Sequence, residues 1–118
     1  MTLTILIPLY NEQNTIVKLL VKINSVQLPN SVSKEIVIVD DCSSDNSVQM
    51  VISYIEKNEI KNIKLIQHLK NQGKGAAIRT AIENATGDYI VVQDADLEYN
   101  PEEYEILLRP IIEGYADA

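Results

Sequence analysis

Ile36-Val37-Ile38-Val39 narrows the fold more than any other stretch of this chain. An unbroken aliphatic run cannot make a strand with one wet face. It needs cover on both sides, which is the condition of a strand inside a parallel sheet. The rest of the chain supplies that cover. Leu3–Pro8, Ile63–Ile66 and Asp88–Gln93 read as further strands. Asn14–Ile23 sets Ile16, Leu19, Leu20 and Ile23 at helical spacing. Ser44–Glu56 does the same with Val48, Val51, Ile52 and Ile55, and Ser44 or Asp45 can cap it. Lys74–Ala85 is a third helix, with Gly87 as its stop. Asn100 caps a fourth helix, with Pro101 in its first position and Glu103 closing the box, and Pro110 bends or ends it. The order βαβαβαβα predicts an α/β fold: a mostly parallel sheet, right-handed crossovers and helices on both faces.

At 118 residues, one domain with a real core is expected. That core must be aliphatic, because Phe and Trp are absent and six Tyr carry all the aromatic area. Asp and Glu outnumber Lys and Arg by 17 to 10, a net charge of −7. This argues against nucleic acid as a partner. It also means that any phosphate-bearing ligand needs local help from amides, placed cations or a metal ion. The single cysteine, Cys42, forms no internal disulfide, so a reducing, cytoplasmic setting is expected. No apolar run approaches the roughly 20 residues of a membrane span. Leu3–Leu9 is too short for a signal peptide and has no basic segment before it.

Ligands of open α/β sheets bind beyond the carboxyl ends of the strands. Polar residues cluster at each such end: Pro8–Glu12, Asp40–Asp45, Asn71–Gly75 and Asp94–Glu98. Asp94 and Asp96, two apart on extended chain, point to one side and repel unless a cation lies between them. Oxygen ligands of this kind suit Mg²⁺ or Mn²⁺, with substrate phosphates completing the shell; the plain alternative is an acidic turn. Asp41 can accept hydrogen bonds from a base or ribose, or serve a turn. Tyr10 can stack on a base and Glu12 can accept from it, unless Asn11 and Glu12 merely open the first helix. Gly73-Lys74-Gly75 allows close approach of an anion at a helix N-terminus, though it is not a Walker A loop. His68 reads as a surface or strand-end residue, Cys42 as a small buried or turn residue, and Lys57, Lys61 and Lys64 as solvated surface.

PLYNE (8–12), VDDCSSDNS (39–47), NQGKGAA (71–77) and GDYIVVQDADLEYNPEE (87–103), in this order, resemble family 2 glycosyltransferases of the GT-A fold. The subgroup most similar is that of dolichol-phosphate mannosyltransferases and other polyprenyl-phosphate glycosyltransferases. The resemblance covers essentially the whole chain. It implies a Rossmann-like, nucleotide-sugar-binding half of a GT-A domain over residues 1–118. Pro8, Tyr10, Asn11 and Glu12 then contact the nucleotide, and Val39 and Asp41 line the base pocket. Asp94, Ala95 and Asp96 stand as the D-x-D segment, in which Asp94 and Asp96 bind the donor diphosphate through Mg²⁺ or Mn²⁺ and serve catalysis. Glu98 reaches the metal or the sugar, and Lys74 lies near the donor. The donor implied is a GDP- or UDP-sugar, and the acceptor a polyprenyl or dolichyl phosphate at a membrane surface, with inversion. Cys42 departs from the glycine common at its position. The family's catalytic domain is longer than this chain, so a fragment lacking the acceptor half is expected, with an exposed apolar flank and self-association.

Two other readings compete. A phosphoryl-accepting receiver domain shares the length and the acidic pair, but its pair follows the first strand and its Lys follows a fifth. A non-catalytic nucleotide-binding module would use the same pocket without transfer.

Overall fold

The four strands β1 (Thr2–Leu9), β2 (Ser33–Asp40), β3 (Ile63–Gln67) and β4 (Tyr89–Val92) form one parallel sheet in the order β3-β2-β1-β4. The computed structural model describes residues 1–28 and 31–95; the expected fourth helix, from Asn100, lies outside them. Helices α1 (Ile16–Ser25), α2 (Ser47–Lys57) and α3 (Lys74–Glu83) fill the three connections. This is the α/β, Rossmann-like fold expected from the alternation. The strand order reverses at β1, so a ligand crevice is expected between β1 and β4. A receiver domain places its third strand beside its first, whereas here β2 separates β1 from β3.

β1 and β2 bury alternate residues to opposite faces, whereas β4 leaves Ile90 and Val92 of one face exposed. Ile5, Ile7 and Leu9 of β1 and Ile36 and Ile38 of β2 meet Ile16, Leu19, Leu20 and Ile23 of α1 and Val51 of α2. Leu6, Val37 and Val39 face the other way, onto Ala77 and Ala81 of α3. The small residues let α3 lie close over β1 and β2. The unbroken run of β2 thus has both faces covered, each aliphatic side chain contributing about 1.5–3 kcal/mol. A residue of β2 also finishes α1: the Lys34 ammonium donates to the carbonyls of Ile23 (2.7 Å), Asn24 (3.2 Å) and Val26 (2.6 Å). Three donors thus meet three carbonyls at a helix end that favours positive charge. Burial lowers the Lys34 pKa.

Three expectations are corrected. α2 begins at Ser47, not Ser44. Asp45 accepts from the Ser47 amide (2.9 Å) and hydroxyl (2.6 Å), while the Ser44 amide turns to another loop. Gly87 does not stop α3, which ends at Glu83 with the Asn84 amide donating to Ala81. Gly87 instead lies against β1: its N–H donates to Thr4 Oγ1 (2.9 Å), and a Cβ there would come within 2.9 Å of the Thr2 carbonyl and the Thr4 nitrogen. Lys64 is not simply solvated. It pairs with Glu35 (3.2 Å) and donates to the Asn84 carbonyl (3.2 Å). Glu35 also accepts from the Thr4 hydroxyl (2.8 Å), the Thr86 amide (2.8 Å) and the Thr86 hydroxyl (2.5 Å).

Candidate functional site: the carboxyl ends of the strands

The loops after β1 and β2 zip together through reciprocal side chain to backbone bonds. Amides of Asn11, Glu12 and Gln13 donate to Ser43 Oγ (2.9 Å), Ser47 Oγ (2.8 Å) and Asp45 Oδ2 (3.2 Å). In return Asn11 Oδ1 accepts from the Ser44 amide (2.8 Å), and Gln13 Oε1 from that of Asn46 (2.9 Å). Asn11 therefore does not open α1, which starts at Ile16. It is a clamp, and its φ of 50° is one that Asn tolerates better than most residues. Cys42 has φ 63°, the left-handed region that glycine enters freely, so the turn after β2 takes a conformation that few side-chain-bearing residues adopt. Cys42 is exposed at this turn, not buried.

Asp41 is buried and organises the third loop. Its Oδ1 accepts from the Gln72 amide (2.8 Å) and its Oδ2 from the Gly73 amide (2.8 Å), and its carbonyl from Asn71 Nδ2 (3.3 Å). His68 Nδ1 lies 2.9 Å from the same Oδ1. Burial alone would raise the Asp41 pKa, but the bond from His68, the two amides and the His68 charge lower it overall. The glycine-flanked loop, expected to receive an external anion, thus spends two amides on an internal one. Gly73, at φ 94°, is the N-cap of α3 and is needed there, because side-chain-bearing residues rarely adopt that angle. His68 stands at the strand end, one of the two places expected for it, and not at the surface: its side chain is 8% exposed, held between Asp41 and Thr80 Oγ1 (2.8 Å).

A cavity of about 400 Å³ opens where these loops meet the end of β4. Pro8 lines it from β1, Tyr10 and Glu12 from the loop after β1, Asp41 from the loop after β2, Gly73 and Lys74 from the start of α3, and Asp94 and Ala95 from the segment after β4. Across it, the Lys74 ammonium pairs with Asp94 Oδ1 at 2.5 Å. The cation that the sequence demanded beside Asp94 is thus in part the protein's own. Tyr10 stands half exposed at the mouth. The Thr15 hydroxyl donates to the Ala95 carbonyl (2.7 Å) and ties the first loop to the segment after β4.

Acidic residues, one placed lysine and an exposed tyrosine thus share a crevice at the strand-order reversal. The profile of glycosyl transferase family 2 matches residues 4–118. The chain belongs to glycosyl transferase family 2. Solved structures agree. It is 30% identical to S. aureus TarS 1-349, solved in complex with UDP-GlcNAc, over 99% of this chain and 33% of that one, with a TM-score of 0.83. It is 29% identical to mannosyltransferase PcManGT from Pyrobaculum calidifontis, in complex with GDP-Man and Mn²⁺, over 98% of this chain and 32% of that one, at 0.80. Glucosyl-3-phosphoglycerate synthase of M. tuberculosis shares the fold, at 22% identity, a TM-score of 0.70, and 96% and 41% coverage. The chain spans about a third of the length of the first two.

Of the residues expected at the site of this family 2 chain, Pro8, Tyr10, Glu12, Asp41, Lys74, Asp94 and Ala95 are brought to one cavity. Val39 is not: its side chain is fully buried beneath α3. Asn11 shapes the rim from outside. Asp96 and Glu98 lie outside the described residues. Among the described residues there is no group of three or more His, Cys, Asp or Glu that could hold a metal ion. His68 and Thr15 support the site in a way that residue order does not reveal, because their partners lie 27 and 80 residues away.

Proposed function

We propose that the cavity binds the nucleoside diphosphate of a sugar donor, and that the chain forms the donor-binding part of an inverting glycosyltransferase. One observation carries this reading: Lys74 and Asp94 face each other across a crevice that also presents Tyr10 and Glu12. Tyr10 stacks on the base and Glu12 accepts from ribose or base. Asp41 has three of its roughly four lone-pair positions engaged within the fold, leaving one for a base N–H. Lys74 places a point charge at the diphosphate.

Mg²⁺ or Mn²⁺ fits this donor set. A partly exposed carboxylate at the cavity is a hard oxygen ligand, and such ions take one or two carboxylates plus substrate phosphates. Asp94 would hold the ion, and Asp96 is its proposed second carboxylate. When bound, the ion would neutralise charge on the departing nucleoside diphosphate. Lys74 would then be released from Asp94 to the same phosphates. In the transfer, an acceptor oxygen bonds to the anomeric carbon from the face opposite the leaving group. The bond to the diphosphate oxygen breaks, and its electron pair leaves with the diphosphate. The resemblance to polyprenyl-phosphate glycosyltransferases favours a lipid phosphate as acceptor. Already anionic near neutral pH, it needs no strong general base.

Calorimetric titration with UDP and GDP, each with and without Mn²⁺, tests the reading. One nucleotide is expected to bind with an affinity that rises with Mn²⁺, and Asp94→Ala should weaken it by about tenfold or more. If the wild-type chain takes neither nucleotide, the reading fails.

A further inference from the structure

We infer that His68, which lies behind the cavity rather than in it, is a positioning residue that sets the donor-binding loop through Asp41. The inference rests on the nucleotide reading above for its consequence, but not for its geometry. His68 follows β3 directly, and its amide donates to the Asp40 carbonyl (2.8 Å), so its backbone is fixed by the sheet. Its ring then bridges two elements. Nδ1 meets Asp41 Oδ1 at 2.9 Å, and Nε2 meets Thr80 Oγ1, within α3, at 2.8 Å. Both sides of the His68–Asp41 pair are nearly closed to solvent, with side chains 8% and 5% exposed.

The chemistry leaves one arrangement at Nδ1. An ionised Asp41 only accepts, so Nδ1 must carry the hydrogen. Nε2 then accepts a hydrogen bond from the Thr80 hydroxyl, or donates one to its oxygen if the ring is charged. Either way the ring plane and the Asp41 carboxylate stay in register. That carboxylate is the one holding the Gln72 and Gly73 amides. Lys74 follows at once and reaches Asp94. A continuous path therefore runs from Thr80 through His68 and Asp41 to the loop and its lysine. Without the His68 donor, Asp41 keeps its two amide partners but loses the contact that fixes its rotamer. The loop then samples more positions, and Lys74 meets a diphosphate less often in the right place. The cost should fall on donor affinity.

Two substitutions separate this from mere packing. In His68→Asn the side-chain amide sits near the Nδ1 position and can still donate to Asp41. In His68→Gln it reaches toward Nε2 and serves Thr80 instead. Amide hydrogen exchange at Gln72 and Gly73, measured without ligand, reads the loop directly. Titration with UDP and GDP in Mn²⁺ reads the consequence. The Asn variant should keep near-wild-type protection and affinity. The Gln variant should lose protection at both amides and bind about tenfold more weakly, the worth of one charge-assisted hydrogen bond. The inference is overturned if the Gln variant protects the loop as the wild type does, or if both variants are equally damaged, which would mean the ring acts by its bulk. If the wild type takes neither nucleotide, the functional reading fails, while the exchange data still decide whether His68 holds the loop.

Discussion

Glu35 and Asp41 occupy opposite ends of β2 and do the same chemistry for different purposes. Each is a largely buried carboxylate that burial alone would push toward the neutral form, and each is kept ionised by donors gathered from distant segments. At the amino end, Glu35 collects Thr4, Thr86 and Lys64, and these bonds hold its pKa down to about 2. These bonds staple β1, β2, β3 and the turn into β4 together. At the carboxyl end, Asp41 collects His68 and the Gln72 and Gly73 amides, all from the segment that follows β3. Asp41 also lines the cavity. Buried carboxylates are thus not a mark of function in this fold. What separates the two ends is where the charge stands: Asp41 lines the cavity that Lys74 and Asp94 share, and Glu35 does not.

The comparison can be broken most forcefully at Asp41. Asp41→Ala leaves two amides and an imidazole without their acceptor, and should cost on the order of 3 kcal/mol in denaturant unfolding. It should also abolish nucleotide binding. Loss of stability with intact binding would show that the two ends are both merely staples.

Glu35→Gln should instead leave nucleotide affinity unchanged while lowering stability at neutral pH. Because the folded pKa lies below the ordinary 4.5, the Glu35 contribution is complete above pH 4.5 and is lost as pH falls toward about 2. The shift corresponds to about 3 kcal/mol. Unfolding curves of wild type and variant, about that far apart at pH 7, should therefore converge near pH 2; a gap that ignores pH would contradict the staple.

Cys42→Gly is the mildest test. The left-handed backbone costs a non-glycine residue about 1 kcal/mol, and glycine's extra freedom in the unfolded chain offsets most of it. Thermal unfolding should move by less than about 1 kcal/mol equivalent, with no change in nucleotide binding.

Much of this was legible from residue order. The helix stripe Ile16, Leu19, Leu20, Ile23 is buried as its spacing demanded, and seven of the residues expected at the site do share one cavity. The Val39 side chain is buried against α3, and residue order alone does not tell which face of the sheet it takes; its place at a base pocket rests on the family resemblance. Gly87 was not legible in this way: a glycine just past a helix serves equally as a stop or as a point of close approach, and only the presence of Thr4 beside it separates the two.

By itself the sequence determined the alternation of elements, the aliphatic two-sided core and the polar ends of the strands, because these depend on local periodicity and on what each stretch must hide from water. Only the tertiary structure decided the strand order, the pairing of Lys74 with Asp94, and the capture of the glycine loop by Asp41 and His68. Those depend on which charges meet across the fold, and a carboxylate's partners are set by distance in space, which separation along the chain does not encode.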